Sequence, residues 1–153
     1  MIPKFRAWDT LNKIMITNFY RSYVQTERGR FSYKLATVND NEIKATAYVN
    51  LLESLIYKYS HDLILMQSTG LKDKNGVEIY VGDIVKGEQW LTTTMPAQIV
   101  AQVRYSERNT MFYLGSANES HDRFMHSLGN TIYQYEVIGN IYANPELLIS
   151  GIE

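Results

Sequence analysis

Residues 65–86 of the chain have the sequence LMQSTGLKDKNGVEIYVGDIVK, and this stretch decides the fold class. Apolar residues precede and follow an Asn75-Gly76 pair, which is typical of a tight turn between antiparallel strands because it tolerates positive φ angles. Gly82-Asp83 then introduces a further β-branched run at Ile84. The stretch predicts a hairpin followed by a new strand, with Tyr80 and Ile84 close together in one sheet.

The rest of the chain favours strands as well, because β-branched and aromatic residues alternate with polar ones and turn residues recur about every ten positions. Such spacing is typical of a small barrel or sandwich. The motif from Gly82 to Val85 resembles the first strand of SH3-like barrels, which makes that barrel the specific candidate. The predicted strands cover residues 4–8, 14–16, 31–37, 63–66, 77–80, 84–86, 97–105, 111–114 and 132–142.

One segment, residues 39–60, carries two conflicting signals. Residues 39–41 offer helix N-caps, and apolar residues from Tyr48 to Tyr59 recur at helical spacing, which predicts an amphipathic helix over residues 43–59. The run from Leu55 to Tyr59 also suits a strand, because it is β-branched and aromatic. We predict the helix and keep the strand as the alternative. Asn144-Pro145 predicts a second, short helical turn near the C-terminus.

The predicted fold class is therefore mainly β: a small barrel with additional strands and one short amphipathic helix, with an α+β fold left open. At 153 residues the chain fits a single domain. Within it, residues 1–62 form a candidate N-terminal subdomain and residues 63–150 the part that would form the barrel.

Three blocks of sequence, in order and spanning nearly the whole chain, resemble the signature of the YopX family. They are PKFRAWD at residues 3–9, the stretch at 65–86, and YEVIGNIYANPELL at residues 135–148. The resemblance implies a phage or prophage origin and a largely β fold. It implies no catalytic residue, because the family offers no activity that can be carried over to particular positions.

The sequence contains little that could carry out catalysis. It has no cysteine, which excludes disulfides, cysteine nucleophiles and thiolate metal sites. Phosphate-binding loops and nucleophile elbows are absent from it. His121 and His126 are five positions apart, which suits neither a helical pair nor one face of a strand, so we expect no zinc site and no cofactor. We predict that the protein is not an enzyme.

Charge is distributed unevenly along the chain. Residues 1–34 contain seven basic and two acidic side chains, a net charge of +5, whereas the remaining residues contain eight basic and fourteen acidic ones, a net charge of −6. Tyrosines lie among the basic residues, as they do in surfaces that stack single-stranded bases. One hypothesis is thus nucleic-acid binding by the basic segment 1–34, through Arg21, Tyr23, Arg30 and Tyr33.

The other hypothesis is a non-enzymatic β-barrel interaction module, a phage accessory protein whose partner is a protein. Twelve tyrosines, open strand edges and opposite charge in the two parts of the chain all favour self-association. The chain has neither a signal peptide nor an apolar run long enough to span a membrane, so we expect a cytoplasmic homo-oligomer of the bacterial host.

Overall fold

A computed structural model describes residues 4–19, 23–38, 42–50, 57–92, 95–115, 126–127 and 134–150. The chain divides into two compact units, Met1–Met66 and Gln67–Glu153. The strands are β1 (Phe5–Asp9), β2 (Ile14–Ile16), β3 (Val24–Thr26), β4 (Gly29–Val38), β5 (Glu42–Asn50), β6 (Tyr57–Asp62), β7 (Ile64–Lys72), β8 (Glu78–Tyr80), β9 (Asp83–Thr92), β10 (Met95–Ser106), β11 (Met111–Gly115), β12 (His126–Ser127) and β13 (Tyr135–Asn140), and the helix is α1 (Glu146–Ser150).

The first unit is built around an antiparallel sheet with the strand order β3-β4-β5-β6. In the same unit β1 pairs with β2 in antiparallel fashion, from Ala7 with Ile16 to Asp9 with Ile14. Because side chains alternate along a strand, every second residue points into the core over residues 31–33 of β4 and 45–47 of β5. Phe31 and Tyr33 of β4 lie on this inner face with Ala45 and Ala47 of β5, and Tyr33 pairs with Ala47. The buried core residues are Ala7, Ile16, Phe31, Tyr33, Ala45, Ala47 and Leu63.

The helix predicted over residues 43–59 is wrong. Residues 42–50 form β5, which pairs along nine residues with β4, and β6 begins at Tyr57; residues 51–56 lie outside the described part of the chain. From Ile43 to Asn50 apolar and polar residues alternate strictly, which is the strand period. A strand that pairs with neighbours on both sides suits that alternation. The apolar residues whose helical spacing predicted the helix lie mainly after Asn50.

The second unit contains an antiparallel sheet with the strand order β12-β11-β10-β9-β13, which curls into a half-barrel. Its core consists of the buried side chains of Ile79, Val85, Ala101, Val103, Leu114 and Tyr135. The predicted fold class, mainly β with a small barrel and additional strands, is confirmed to the extent that the structure is mainly β and has a curled half-barrel sheet with additional sheets. The strand predicted over 132–142 is shorter, Tyr135–Asn140; residues 132–133 are outside the described part.

The Asn75-Gly76 hairpin is confirmed, because Gly76 has a φ of 82° and lies between the antiparallel strands β7 and β8. The expectation that Tyr80 and Ile84 share a sheet is wrong, since β8 pairs with β7 while β9 belongs to the five-stranded sheet. Gly82, at a φ of 96°, turns the chain between them. The Asp83 carboxylate closes that turn by accepting a hydrogen bond from the Tyr80 amide at 2.8 Å.

The end of the chain follows the predicted turn chemistry. A bulge between Val137 and Gly139 distorts β13. After β13 the Asn140 side chain accepts hydrogen bonds from the amides of Tyr142 and Ala143, and the five-residue α1 then begins just after Pro145. No helix among the described residues combines the length and hydropathy that crossing a membrane requires.

Candidate functional site

The sheet of the first unit has an outward face, opposite its core, that combines aromatic and basic side chains. Because side chains alternate along a strand, the residues next to each inward-pointing residue project onto this outward face. Arg30 and Lys34 lie on it from β4, and Lys44 and Tyr48 from β5, with Tyr23 just before β3. We call this set, Tyr23, Arg30, Lys34, Lys44 and Tyr48, the outward face.

Two cation–aromatic pairs order this face. The guanidinium carbon of Arg30 lies 5.0 Å from the ring centroid of Tyr23, and the Nζ atom of Lys34 lies 5.6 Å from the ring centroid of Tyr48. Both distances are within the range of cation–π attraction. Lys44 forms an exposed ion pair with Asp62 at 3.1 Å. The face thus presents two tyrosine rings and three positive charges beside two negative charges, those of Asp62 and of the exposed Glu42 of β5.

The structure brings together two of the four predicted nucleic-acid contacts. Tyr23 and Arg30 are exposed neighbours, and Arg30 Nε also donates to the Gln25 side chain at 3.2 Å. Arg21 lies outside the described residues. The assignment of Tyr33 is wrong, because its side chain is only 3% exposed and its ring packs in the core, where no base could stack on it.

Sequence reasoning missed Tyr48 and Lys44, because it placed both residues in a helix. The alternation from Ile43 to Asn50 was the signal that could have found them: it sends Lys44 and Tyr48 to one face and the apolar residues to the other. In the structure Tyr48 pairs with Ser32 of β4 on this face.

A cluster of polar side chains lies on the inner side, around the fully buried carboxylate of Asp9. Its Oδ2 accepts hydrogen bonds from the Tyr33 hydroxyl and from Asn12 Nδ2, both at 2.8 Å. Its Oδ1 accepts from the amides of Leu11 and Asn12, at 2.9 and 3.1 Å, and lies 2.8 Å from His61 Nε2. The carboxylate therefore ties the turn after β1 to β4 and β6.

These contacts set the protonation of the cluster. Burial opposes the ionisation of Asp9, but hydrogen bonds from Asn12, Tyr33 and His61 outweigh it and hold the pKa of Asp9 below its ordinary value. Burial and the bonded carboxylate raise the pKa of Tyr33, so its phenol remains a donor. A carboxylate that contacts an imidazole and a phenol could transfer protons. Here the phenol is buried, and each hydrogen bond to the Asp9 carboxylate connects parts of the fold, so the cluster is structural.

Near this cluster an open groove of about 530 Å³ separates the turn after β1 from the β3–β4 hairpin. It is lined by residues 11–14 on one side and 24–28 on the other, with Lys13, Glu27 and Arg28 as its charged groups. Among the residues that the structure describes, no three histidine or acidic side chains come together as a metal site; His121 is outside them.

The far end of the β4–β5 hairpin forms what we call the arm, residues 34–37 and 42–44. All seven residues are exposed, so both faces of this two-stranded segment are in solvent. It nevertheless carries Leu35 and Ile43, which are 36% and 38% exposed. Within the part of the chain that the structure describes, β3 and β6 pair with the other end of the hairpin, at residues 29–31 of β4 and 46–50 of β5.

Comparison with known proteins gives a family and a structural relative. The family model described as YopX protein matches residues 4–149. The crystal structure of protein EF1440 from Enterococcus faecalis is similar to this chain, with 28% sequence identity and a TM-score of 0.55 over 97% of this chain and 99% of that one. None of the curated proteins matches the sequence.

Proposed function

This chain belongs to the YopX family, and we propose that it is a phage or prophage accessory protein that acts as a non-enzymatic interaction module and pairs with a second copy of itself. The observation that carries the proposal is the arm. Its residues are exposed on both faces although Leu35 and Ile43 are apolar. An element of this kind supplies a contact surface and contributes little to the core of its own unit.

The arm should become more stable when another surface packs against it. An isolated two-stranded hairpin is marginally stable in water, and it gains stability when a third strand or an apolar surface packs against it. On the β3 side no described strand pairs with β4 from Leu35 to Thr37. An open edge with apolar side chains is a ready template for another strand.

A second copy of the chain fits this edge without a charge conflict. If two β4 strands pair antiparallel about Leu35, each Lys34 stands opposite Ala36 of the second copy rather than opposite another lysine. Like charges directly across a strand pair would be destabilising, and this register avoids them. The resulting two-fold contact uses the same surface on both copies, as most homodimers do.

The first test is the mass in solution, measured by light scattering at low and high protein concentration. We expect the wild-type mass to exceed the 17.7 kDa of one chain and to change little with salt, because an apolar contact is not screened. The double substitution Leu35→Glu, Ile43→Glu should return the mass to one chain. Ile149→Glu, at a 73% exposed residue outside the arm, is the matched control and should leave the association unchanged.

A single cysteine tests the register itself. The chain has no cysteine, so Leu35→Cys can form a disulfide only with a second copy. Antiparallel neighbours have Cα atoms about 4.5–5.5 Å apart, which a disulfide can span. We expect rapid oxidation to a covalent dimer, and slow oxidation for Ile149→Cys. A wild-type mass of one chain in all conditions, or equal oxidation of the two variants, would refute self-pairing through the arm.

A further inference from the structure

The outward face shares Lys34 and Lys44 with the arm, but it is a separate surface from the apolar side of the arm that carries Leu35 and Ile43. Lys34 and Tyr48 point to the opposite side of the sheet from Leu35 and Ile43, because neighbouring residues alternate along β4 and β5. Tyr23 is 48% exposed, and Arg30 and Lys34 are exposed as well. The packing of the core therefore does not account for the aromatic rings and positive charges on this side of the sheet.

We propose that the outward face binds single-stranded nucleic acid, with Tyr23 and Tyr48 stacking on bases and Arg30, Lys34 and Lys44 contacting phosphates. Sheets that bind single strands commonly present aromatic side chains from their central strands in this way. Each stacked ring tolerates any base, since every base has a flat π-face, and the cations follow the backbone.

The positions of the two rings suit an extended strand of nucleotides. Tyr48 pairs with Ser32 on one side of β4, and Tyr23, one residue before the pair of Val24 with Phe31, lies on the other side. Two strand spacings separate the rings, or about 9–10 Å. Lys34 lies two residues along β4 from Ser32, and Lys44 lies four residues along β5 from Tyr48. Both positive charges therefore lie to one side of the line that joins the rings, where the phosphates of a strand stacked on the rings can reach them.

The contacts within the outward face are compatible with binding a single strand. Arg30 lies over Tyr23 at 5.0 Å, and a guanidinium plane is itself a surface on which bases stack. The ion pair of Lys44 with Asp62 is exposed on both sides, 46% and 65%. Exposed pairs of this kind contribute little stability, so a phosphate can take the place of the carboxylate at low cost.

A duplex should bind less well than a single strand. Its bases are stacked on each other inside the helix, so the tyrosine rings cannot reach their faces, and only the phosphate contacts remain. A preference for single strands is therefore the property that distinguishes stacking from attraction by charge alone.

The test is fluorescence anisotropy with labelled oligo-dT and oligo-U of about 15 nucleotides, a size typical of small single-strand binding surfaces. A duplex of the same length is measured in parallel. We expect both single strands to bind and the duplex to bind more weakly. The affinity should fall with salt at a logarithmic slope of roughly −2, as for three phosphate contacts.

Variants separate the two kinds of contact. Tyr23→Ala and Tyr48→Ala should each weaken binding about 5-fold or more, whereas Tyr23→Phe and Tyr48→Phe should bind like the wild type, because the ring is kept. Lys34→Ala should make the salt slope shallower by about 0.7. Tyr105→Ala, at an equally exposed tyrosine of the second unit, is the control and should bind like the wild type.

Because Tyr48 is partly buried, its variants are compared only after thermal unfolding shows that they are folded. If they are not folded, the test of stacking relies on the variants of Tyr23. Three results would each overturn the proposal: no binding of either single strand by the wild type at low salt, equal affinity for single strand and duplex, or unchanged affinity in Tyr23→Ala.

Discussion

The Nε2 atom of His61 lies 2.8 Å from the Oδ1 atom of Asp9, and this contact joins the end of β6 to the end of β1 across 52 positions of sequence. Asp9 is fully buried, and His61 contacts the Phe31 ring edge-on at 5.8 Å. Because an ionised carboxylate only accepts hydrogen bonds, His61 Nε2 must carry the proton in this contact. The pair holds together elements that are far apart in the chain.

Replacing Asp9 should therefore destabilise the protein strongly. Asp9→Asn removes the charge and one of two acceptor oxygens, leaving buried donors on Tyr33 or Asn12 without an acceptor. We expect a loss of about 2–4 kcal/mol in the free energy of unfolding, measured with urea at neutral pH.

The matched control is Asp62→Asn. Its carboxylate is 65% exposed and bound only to Lys44 as far as the structure describes its ion pairs, so the loss should stay below about 1 kcal/mol. Equal losses in the two variants would mean that the buried network contributes no more than a surface pair.

Stability should also fall at acid pH in a way that depends on Asp9 and Asp73. The pKa of each carboxyl is held below its ordinary value of 3.8. The unfolded chain therefore takes up protons at higher pH than the folded chain. The stability that these carboxylates contribute is complete above 3.8 and is lost as the pH falls through their folded pKa values.

Unfolding free energies measured from about pH 6 to about pH 3 check this expectation. The acid loss should be smaller in Asp9→Asn than in the wild type, because the variant has one carboxylate fewer to protonate. Curves that remain parallel over the whole range would contradict a depressed pKa at Asp9.

Asp73 should stabilise the second unit by fixing the Asn75-Gly76 hairpin. Its Oδ1 accepts from the amides of Asn75 and Val77 at 2.8 and 2.9 Å, and its Oδ2 accepts from Val137 of β13 at 2.9 Å. Asp73→Ala leaves these donors unsatisfied, and we expect a loss of about 3 kcal/mol. Asp73→Asn keeps one acceptor oxygen and should lose less unfolding free energy. A larger loss for Asp73→Asn than for Asp73→Ala would show that the missing acceptors do not cause the destabilisation.

Gly87 is required for a different reason, the close approach of a neighbouring ring. It pairs with Tyr135, and a Cβ atom at position 87 would lie 2.5 Å from Cδ1 of that buried tyrosine. Gly87→Ala must displace Tyr135 from the core, so we expect a loss of about 1–3 kcal/mol in unfolding free energy.

Gly76 provides the comparison, because it has open space around its Cα and needs only a positive φ. Asparagine visits that conformation readily, so Gly76→Asn should be nearly neutral. If Gly87→Ala proved as mild as Gly76→Asn, the ring contact would not be the constraint.

Local chemistry in the sequence determined several features of this protein. The Asn75-Gly76 turn, the hairpin of β1 and β2, the short helix after Pro145 and the family membership all follow from residues close together in the chain. They are predictable because φ preferences and turn hydrogen bonds act over two to five residues. The same holds for Tyr23 and Arg30, which lie on either side of one short hairpin.

Contacts between distant residues decided the rest. Only tertiary structure shows that Tyr33 bonds to Asp9 in the core while Tyr48 takes the outward position. It also resolves residues 43–50 as a strand, because pairing with β4 and β6 stabilises their alternating pattern, whereas the helical spacing lies mainly in residues after Asn50. A period-2 sequence separates an apolar face from a polar one, but it does not reveal what each face will contact. That depends on which strands lie beside it and on which polar groups, such as the Asp9 carboxylate, are buried with the apolar face.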